Sequence, residues 1–226
     1  MIAVAFFIGI FFGLGSTEMA SLRFSRMDMQ MSIANQKVKE YMSRLASEHQ
    51  EERDKAVAWF EAHPAESLPE IRRLARAGHL GQPTLWAACL LGRIGDDSDM
   101  RILEPLLAHS SSSIIWAAAE ALAHHPSQVA EAVLLGALAS KHPETVGAAA
   151  ISLGMRGSES TRKPLEQLLR HADESVRYRA VLSLDRLGVG PSIAVLRAHL
   201  PNEDSSEVRR LIEEILNKRA DSSNVG

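Results

Sequence analysis

The chain of 226 residues has 25 Lys and Arg against 28 Asp and Glu, which gives a formal net charge of -3. This balance, without a block dense in Lys and Arg, argues against a nucleic-acid-binding protein, because such proteins need a basic face to displace counterions. Leucine and alanine dominate while aromatic and β-branched residues are scarce, which favours an all-α chain. The one cysteine, Cys89, excludes a disulfide framework, and we predict that it is a small buried apolar residue.

Residues 1–22 predict a transmembrane helix. Residues Ile2 to Gly15 contain no polar side chain, and with Ser16 and Thr17 the run extends over roughly 24 Å of a hydrocarbon core of about 30 Å. Basic residues follow the run but do not precede it, so the positive-inside rule places the N-terminus outside and the rest in the cytoplasm. We therefore expect a single-pass protein of the inner membrane. A cleaved signal peptide, which would leave the chain in the periplasm, is the alternative.

A stripe of small residues runs along this segment. Ala5, Gly9 and Gly13 recur every four residues and would share one helix face, where they allow another membrane helix to approach closely. The stripe predicts a transmembrane partner, although glycine is also common in membrane helices generally.

Residues 23–50 predict a helical connector, because no glycine or proline occurs between Ser16 and His63. A heptad-like apolar seam in it predicts a rigid helix that runs into the following domain and forms a short coiled coil with a partner's helix. Folding back on the chain's own helices is the alternative. The seam consists of Phe24, Met27, Met31, Ala34, Val38, Tyr41 and Leu45.

The segments Ala5 to Gly13 and Leu22 to Arg26, with the heptads that follow, resemble the second membrane helix and coil of the LapA-type lipopolysaccharide-assembly membrane proteins. The similarity covers residues 1–45.

The remaining chain repeats every 31 residues, which is typical of stacked helical repeats. A column of alanines is followed, four residues later in each repeat, by a large apolar residue, and a second register holds pairs of leucines four residues apart. The first column contains Ala56, Ala87, Ala118, Ala149 and Ala180, the large residues are Phe60, Leu91, Leu122, Leu153 and Leu184, and the second register begins at Leu103, Leu134, Leu165 and Leu196.

Each repeat is predicted to be two antiparallel helices, with breakers such as His125-Pro126 between them. Alanine lets the helices of successive repeats stack closely. The pattern predicts an α-solenoid of about five helix pairs and a capping helix over residues 51–220, then a disordered tail, 221–226. Ser67 and Glu70 predict a capping box in the first pair.

The segments Leu85 to Asp96, Ile115 to Leu122 and Val176 to Gly188 resemble HEAT repeats, particularly the short form of phycobilisome-lyase-like proteins. The resemblance implies an α-solenoid that binds other proteins. It also leaves open a role in attaching a chromophore or cofactor.

Three aromatic residues near the starts of first helices are candidate partner contacts: Trp86, Trp116 and Tyr178. They lie outside the apolar columns, so we expect some of them to reach the surface. Packing under a neighbouring loop is the alternative for the two tryptophans.

No catalytic motif, phosphate-binding loop or metal-ligand spacing occurs in the sequence. His63 and His125, and likewise His109 and His171, lie two repeats apart at equivalent positions and are interpreted as structural. The adjacent His124 and His125 would point about 100° apart on a helix, so they are not expected to share a metal ion. The acidic run Asp96, Asp97 and Asp99 is interpreted as a solvated turn. We predict no cofactor, metal or small-molecule substrate. The hypothesis is a non-enzymatic, membrane-anchored scaffold that serves as an accessory subunit of a membrane protein complex.

Overall fold

The computed structural model describes residues 36–188 and 190–223, and this part of the chain contains helices and no β-strand. The predicted all-α class is confirmed for these residues. The predicted transmembrane segment, with Ala5, Gly9 and Gly13, lies outside the described residues. Within residues 36–188 and 190–223, no helix combines the length and apolarity that crossing a bilayer requires.

The chain divides into two compact units, Met1–Glu70 and Ile71–Gly226. The division falls inside helix α3 (Pro64–Ala77). The first unit also contains α1, described over residues 36–45, and α2 (Gln50–Ala62). The predicted domain bounds, 1–22, 23–50 and 51–220, stay predictions.

The connector does not run as one helix into the repeats, so that prediction was wrong. The chain leaves the helix at Ala46 and re-enters it at Gln50. Arg53 stabilises the break, because its guanidinium donates to the carbonyls of Ser47 at 2.6 Å and Glu48 at 3.0 Å. No glycine or proline marks this break in the sequence.

The described part of the heptad seam packs within its own unit. Val38 and Leu45 are buried, and the ring of Tyr41 stacks on that of Trp59 with centroids 4.4 Å apart. For these residues the structure agrees with the alternative, folding back on the chain's own helices, and the coiled coil with a partner stays a prediction. The earlier seam residues lie outside the described part.

The second unit continues from α3 as further helix pairs. The first helices of these pairs are α4 (Gln82–Ile94), α6 (Ser112–His124), α8 (Pro143–Arg156) and α10 (Glu174–Leu187), and the second helices are α5 (Asp97–Met100), α7 (Gln128–Ala137), α9 (Arg162–Leu168) and α11 (Gly190–His199). The last helix is α12 (Ser206–Ser223). Short 3₁₀ helices occupy Pro105–Ala108, Glu159–Thr161 and Leu200–Asn202.

Each first helix packs against the next one along the chain, from α4 through α6, α8 and α10 to α12. Within this stack the column alanines are fully buried, and so are the leucines that follow them: Ala87, Ala118, Ala149 and Ala180, and Leu91, Leu122, Leu153 and Leu184. Small residues are required at the closest approach: a Cβ added at Gly92 would lie 2.7 Å from Ala121 Cα, and one at Gly154 would lie 2.7 Å from Ser183 Cβ. The second unit is therefore stacked as an α-solenoid, as predicted.

The prediction that each second helix holds two leucines four residues apart was wrong for Leu103 and Leu107. Leu103 and Leu107 do not share one helix, because α5 ends at Met100 and the chain resumes as 3₁₀ helix at Pro105. Proline lacks the amide hydrogen that a continuing helix needs and clashes with the preceding turn. Both leucines are nevertheless buried.

The predicted capping box in the first pair was wrong. Helix α3 begins at Pro64, so Ser67 lies inside it and its hydroxyl donates to the His63 carbonyl at 2.9 Å. A capping box is instead formed at the start of α5 by Asp96 and Asp99.

The C-terminal ends of α8 and α10 have the glycine caps that the sequence suggests, whereas the end of α12 differs from the prediction. Gly157 and Gly188 end α8 and α10 with φ of 69° and 64°, the left-handed conformation that glycine adopts without strain. The predicted disordered tail begins too early, because α12 continues through residues 221–223. Residues 224–226 lie outside the described part.

Candidate partner-binding surfaces

Histidines in the turns between helices connect neighbouring segments. In His109, His125 and His171, Nδ1 accepts a hydrogen bond from the backbone N–H two residues later, at 2.9, 3.2 and 3.0 Å. The Nε2 of His109 lies 3.0 Å from the carbonyl of Gly78, exactly one repeat earlier. These contacts agree with the structural interpretation of the histidines. In the described part of the chain, no group of three His, Cys, Asp or Glu is placed to hold a metal ion.

Arginines also tie successive pairs together. Arg156 of α8 donates to the carbonyls of Leu122 at 2.9 Å and Ser127 at 3.0 Å, both in the preceding pair. Arg72 of α3 makes a two-pronged contact with Asp99, from Nε to Oδ1 at 2.6 Å and from Nη2 to Oδ2 at 2.9 Å. Asp99 is buried, so the acidic run is only partly the solvated turn that we predicted.

Trp116 is integrated into a cluster across three successive first helices. Its Nε1 donates to Glu144 Oε1 at 2.5 Å, and the Arg179 guanidinium lies 5.3 Å from its ring centroid. Arg179 Nη2 is also 3.6 Å from Glu144 Oε2. Space for the arginine exists because the residue beneath it is glycine: a Cβ at Gly147 would lie 2.6 Å from Arg179 Cδ.

The other two aromatic candidates take no part in that cluster. Trp86 and Tyr178 are half-buried, as is Trp116, and Trp86 Nε1 is buried without a hydrogen-bond partner. Ring stacking in the described residues instead joins Tyr41, Trp59 and His63. The partner-contact role of Trp86, Trp116 and Tyr178 stays a prediction.

Cys89 is half-buried rather than fully buried. Burial, with a smaller contribution from the charge of Glu120, raises the pKa of its thiol to about 11. The group is therefore protonated near neutral pH, which disfavours nucleophilic chemistry.

The sequence analysis missed two open grooves between second helices. The C-terminal groove has a volume of about 1010 Å³ and is lined by Lys163, Arg170, Arg177, His199, Glu203 and Asp204, among others. The N-terminal groove has a volume of about 610 Å³ and is lined by Arg76, Arg101, Ile102, Pro105, Leu106 and His109, among others.

The wall of the C-terminal groove is held by a buried carboxylate. Glu203 accepts from Arg177 Nη2 at 2.7 Å and from the Ser205 N–H at 2.9 Å, and its Oε2 lies 3.0 Å from His199 Nε2. Burial by itself would raise the pKa of Glu203, but these hydrogen bonds outweigh it and lower the pKa to about 2. Glu203 is therefore ionised, and this cluster connects α10, α11 and the segment before α12.

A family model for HEAT repeats matches residues 100–171 and 130–217, more than half of the chain. The chain belongs to the HEAT-repeat family. No curated protein sequence matches it.

Solved structures similar to this HEAT-repeat protein include the complex of CpcE and CpcF of phycocyanin lyase from Nostoc sp. PCC7120, at 18% identity and a TM-score of 0.43, over 77% of this chain and 74% of that one. Another is a designed armadillo repeat protein in complex with the peptide (KR)4, at 17% identity and a TM-score of 0.44, over 79% of this chain and 97% of that one.

Proposed function

We propose that this protein is a membrane-anchored HEAT-repeat scaffold that acts as a non-catalytic accessory subunit of a membrane protein complex. The HEAT fold is a protein-interaction fold. The observation that carries the proposal is that polar side chains fix one repeat to the next and leave open grooves between the second helices.

Rigid repeats favour docking for an energetic reason. A surface already held in place by Arg72, Arg156 and Arg177 loses little conformational entropy when a partner binds. The grooves between helices then offer concave surfaces that flat helix faces lack.

The membrane anchor is proposed from the apolar run Ile2 to Gly15, and the stripe of Ala5, Gly9 and Gly13 is proposed to contact another subunit's helix. The inner-membrane location, with the array in the cytoplasm, follows from the basic residues after the run. Protease protection of the array in spheroplasts and N-terminal sequencing of the mature protein test the orientation and the periplasmic alternative.

Affinity purification from membranes in a mild detergent tests the scaffold role. We expect one or more other proteins in near-stoichiometric amounts and the array in the membrane fraction after a high-salt wash. A protein that is monomeric in detergent and recovers no partner would contradict the proposal. Co-purified pigment, seen as visible absorbance, would instead favour the chromophore-attachment alternative.

A further inference from the structure

The charges that line the N-terminal groove have one sign. Arg76 and Arg101 both line it and both are exposed. No aspartate or glutamate is among the lining residues, and neither arginine has an ion-pair partner among the residues that the structure describes. The groove therefore presents two guanidinium groups that are available to an anionic ligand.

The rest of the groove is largely apolar. Leu106 and Ala75 are buried beneath it, Ile102 is half-buried and Pro105 is exposed. An apolar floor of this kind disfavours a bare phosphate or a nucleic-acid backbone and favours a ligand that has apolar side chains of its own.

The wall of the groove is fixed before any ligand binds. His109 joins the two sides, because its Nε2 lies 3.0 Å from the Gly78 carbonyl while its Nδ1 accepts from the Ser111 N–H. The loop of Gly78 is thus held against the 3₁₀ segment. Preorganisation of this kind reduces the cost of ordering the site on binding.

We propose that the N-terminal groove binds an acidic segment of a partner protein in which carboxylates alternate with apolar side chains. In an extended segment, alternate side chains point to opposite sides, so carboxylates reach Arg76 and Arg101 while the apolar residues face Ile102 and Pro105. Arginine suits this role because its guanidinium binds a carboxylate with two hydrogen bonds. This inference rests on the proposed scaffold function and names the chemistry of one docking partner.

The test uses the purified full-length chain in mild detergent and a fluorescein-labelled peptide of alternating glutamate and leucine, followed by fluorescence anisotropy. Control peptides replace glutamate with lysine or leucine with serine, and a labelled single-stranded oligonucleotide tests the nucleic-acid alternative. The variants are Arg76→Glu with Arg101→Glu, and a matched control of two exposed arginines elsewhere, Arg186→Glu with Arg197→Glu.

We expect the glutamate–leucine peptide to bind the wild type and the control variant, and the groove variant to lose affinity by roughly 10-fold or more, since each arginine changes from attraction to repulsion. Ile102→Ser, at an apolar residue that lines the groove, is expected to weaken binding by roughly 3-fold. Both control peptides are expected to bind more weakly than the glutamate–leucine peptide.

Equal loss in the groove and control variants overturns the proposal, because it shows a general charge effect. No loss in the groove variant, or binding of the oligonucleotide but not the peptide, also overturns it. If the double reversal unfolds the chain, Arg76→Gln with Arg101→Gln replaces it under the same criteria. If the peptide fails to bind the wild type while partner subunits still co-purify, this inference is wrong and the scaffold role stands.

Discussion

Both grooves lie between second helices, yet they differ in whether a lining arginine is held by a buried carboxylate. In the C-terminal groove, Arg177 is bound to Glu203, whose side chain has no exposed surface. In the N-terminal groove, Arg76 and Arg101 are exposed and no acidic residue lines the site. Whether an arginine of this chain stabilises the fold therefore depends on whether the neighbouring repeat supplies a buried carboxylate.

The largest effect is expected from Arg177→Met. It leaves the Glu203 carboxylate buried with one partner fewer, and removing one member of a buried ion pair costs about 3–5 kcal/mol in the free energy of unfolding. The matched control is Arg170→Met, since Arg170 is exposed in the same groove and its loss is expected to cost less than about 0.5 kcal/mol. Urea unfolding followed by circular dichroism measures both, and similar losses would show that Arg177 has no structural role.

The second-largest effect on stability is expected from Glu203→Gln, and this effect should depend on pH. Because the folded-state pKa of Glu203 lies near 2 against an ordinary value of 4.5, its ionisation contributes about 3 kcal/mol to stability above pH 4.5. That contribution is lost as the pH falls from 4.5 towards 2. The stability gap between wild type and variant should therefore be greatest near neutral pH and narrow in acid, and a gap that does not change with pH would contradict the assignment.

A smaller difference in stability is expected between variants of Trp116 and Trp86. Trp116→Phe removes an indole N–H that donates to Glu144 and should cost about 1.5–3 kcal/mol in unfolding free energy beyond the loss of ring volume. Trp86→Phe loses the same volume but removes a buried donor without a partner, so its cost should be smaller. Thermal unfolding of the two variants compares them directly, and an equal cost would mean that the Glu144 hydrogen bond does not stabilise the fold.

The smallest effect on stability is expected in the N-terminal groove. Arg76→Gln with Arg101→Gln removes two exposed charges without an ion-pair partner in the described chain, so the unfolding free energy should change by less than about 0.5 kcal/mol. Urea unfolding tests this alongside Arg177→Met. A loss comparable to that variant's would mean that these arginines hold the repeats together rather than remain available to a ligand.

The repeat core was predictable because it obeys one volume constraint in every repeat. Ala118 and Leu122 recur at the repeat period because their neighbours stack at the same spacing. The residues that join repeats were not predictable, since each joining contact uses different residue types at a different separation. Arg72 with Asp99 and Trp116 with Glu144 are examples.

The break in the connector and the two grooves were also not predictable from the sequence. The break before α2 depends on a side chain, Arg53, that binds backbone carbonyls several residues away, and neither glycine nor proline marks it in the sequence. The N-terminal groove depends on the spacing between α3 and the segment at Pro105, which only the three-dimensional structure defines. The charge pattern of Arg76 and Arg101 was visible in the sequence, but not that both line one surface.

The most direct measurement is quantitative affinity purification of three proteins from mildly solubilised membranes: the wild type, Arg76→Glu with Arg101→Glu, and Arg186→Glu with Arg197→Glu. The account predicts a near-stoichiometric partner with the wild type and the control, and its loss with the groove variant, while all three remain folded. Equal recovery of the same partners by all three proteins, or recovery of none by the wild type, would contradict it.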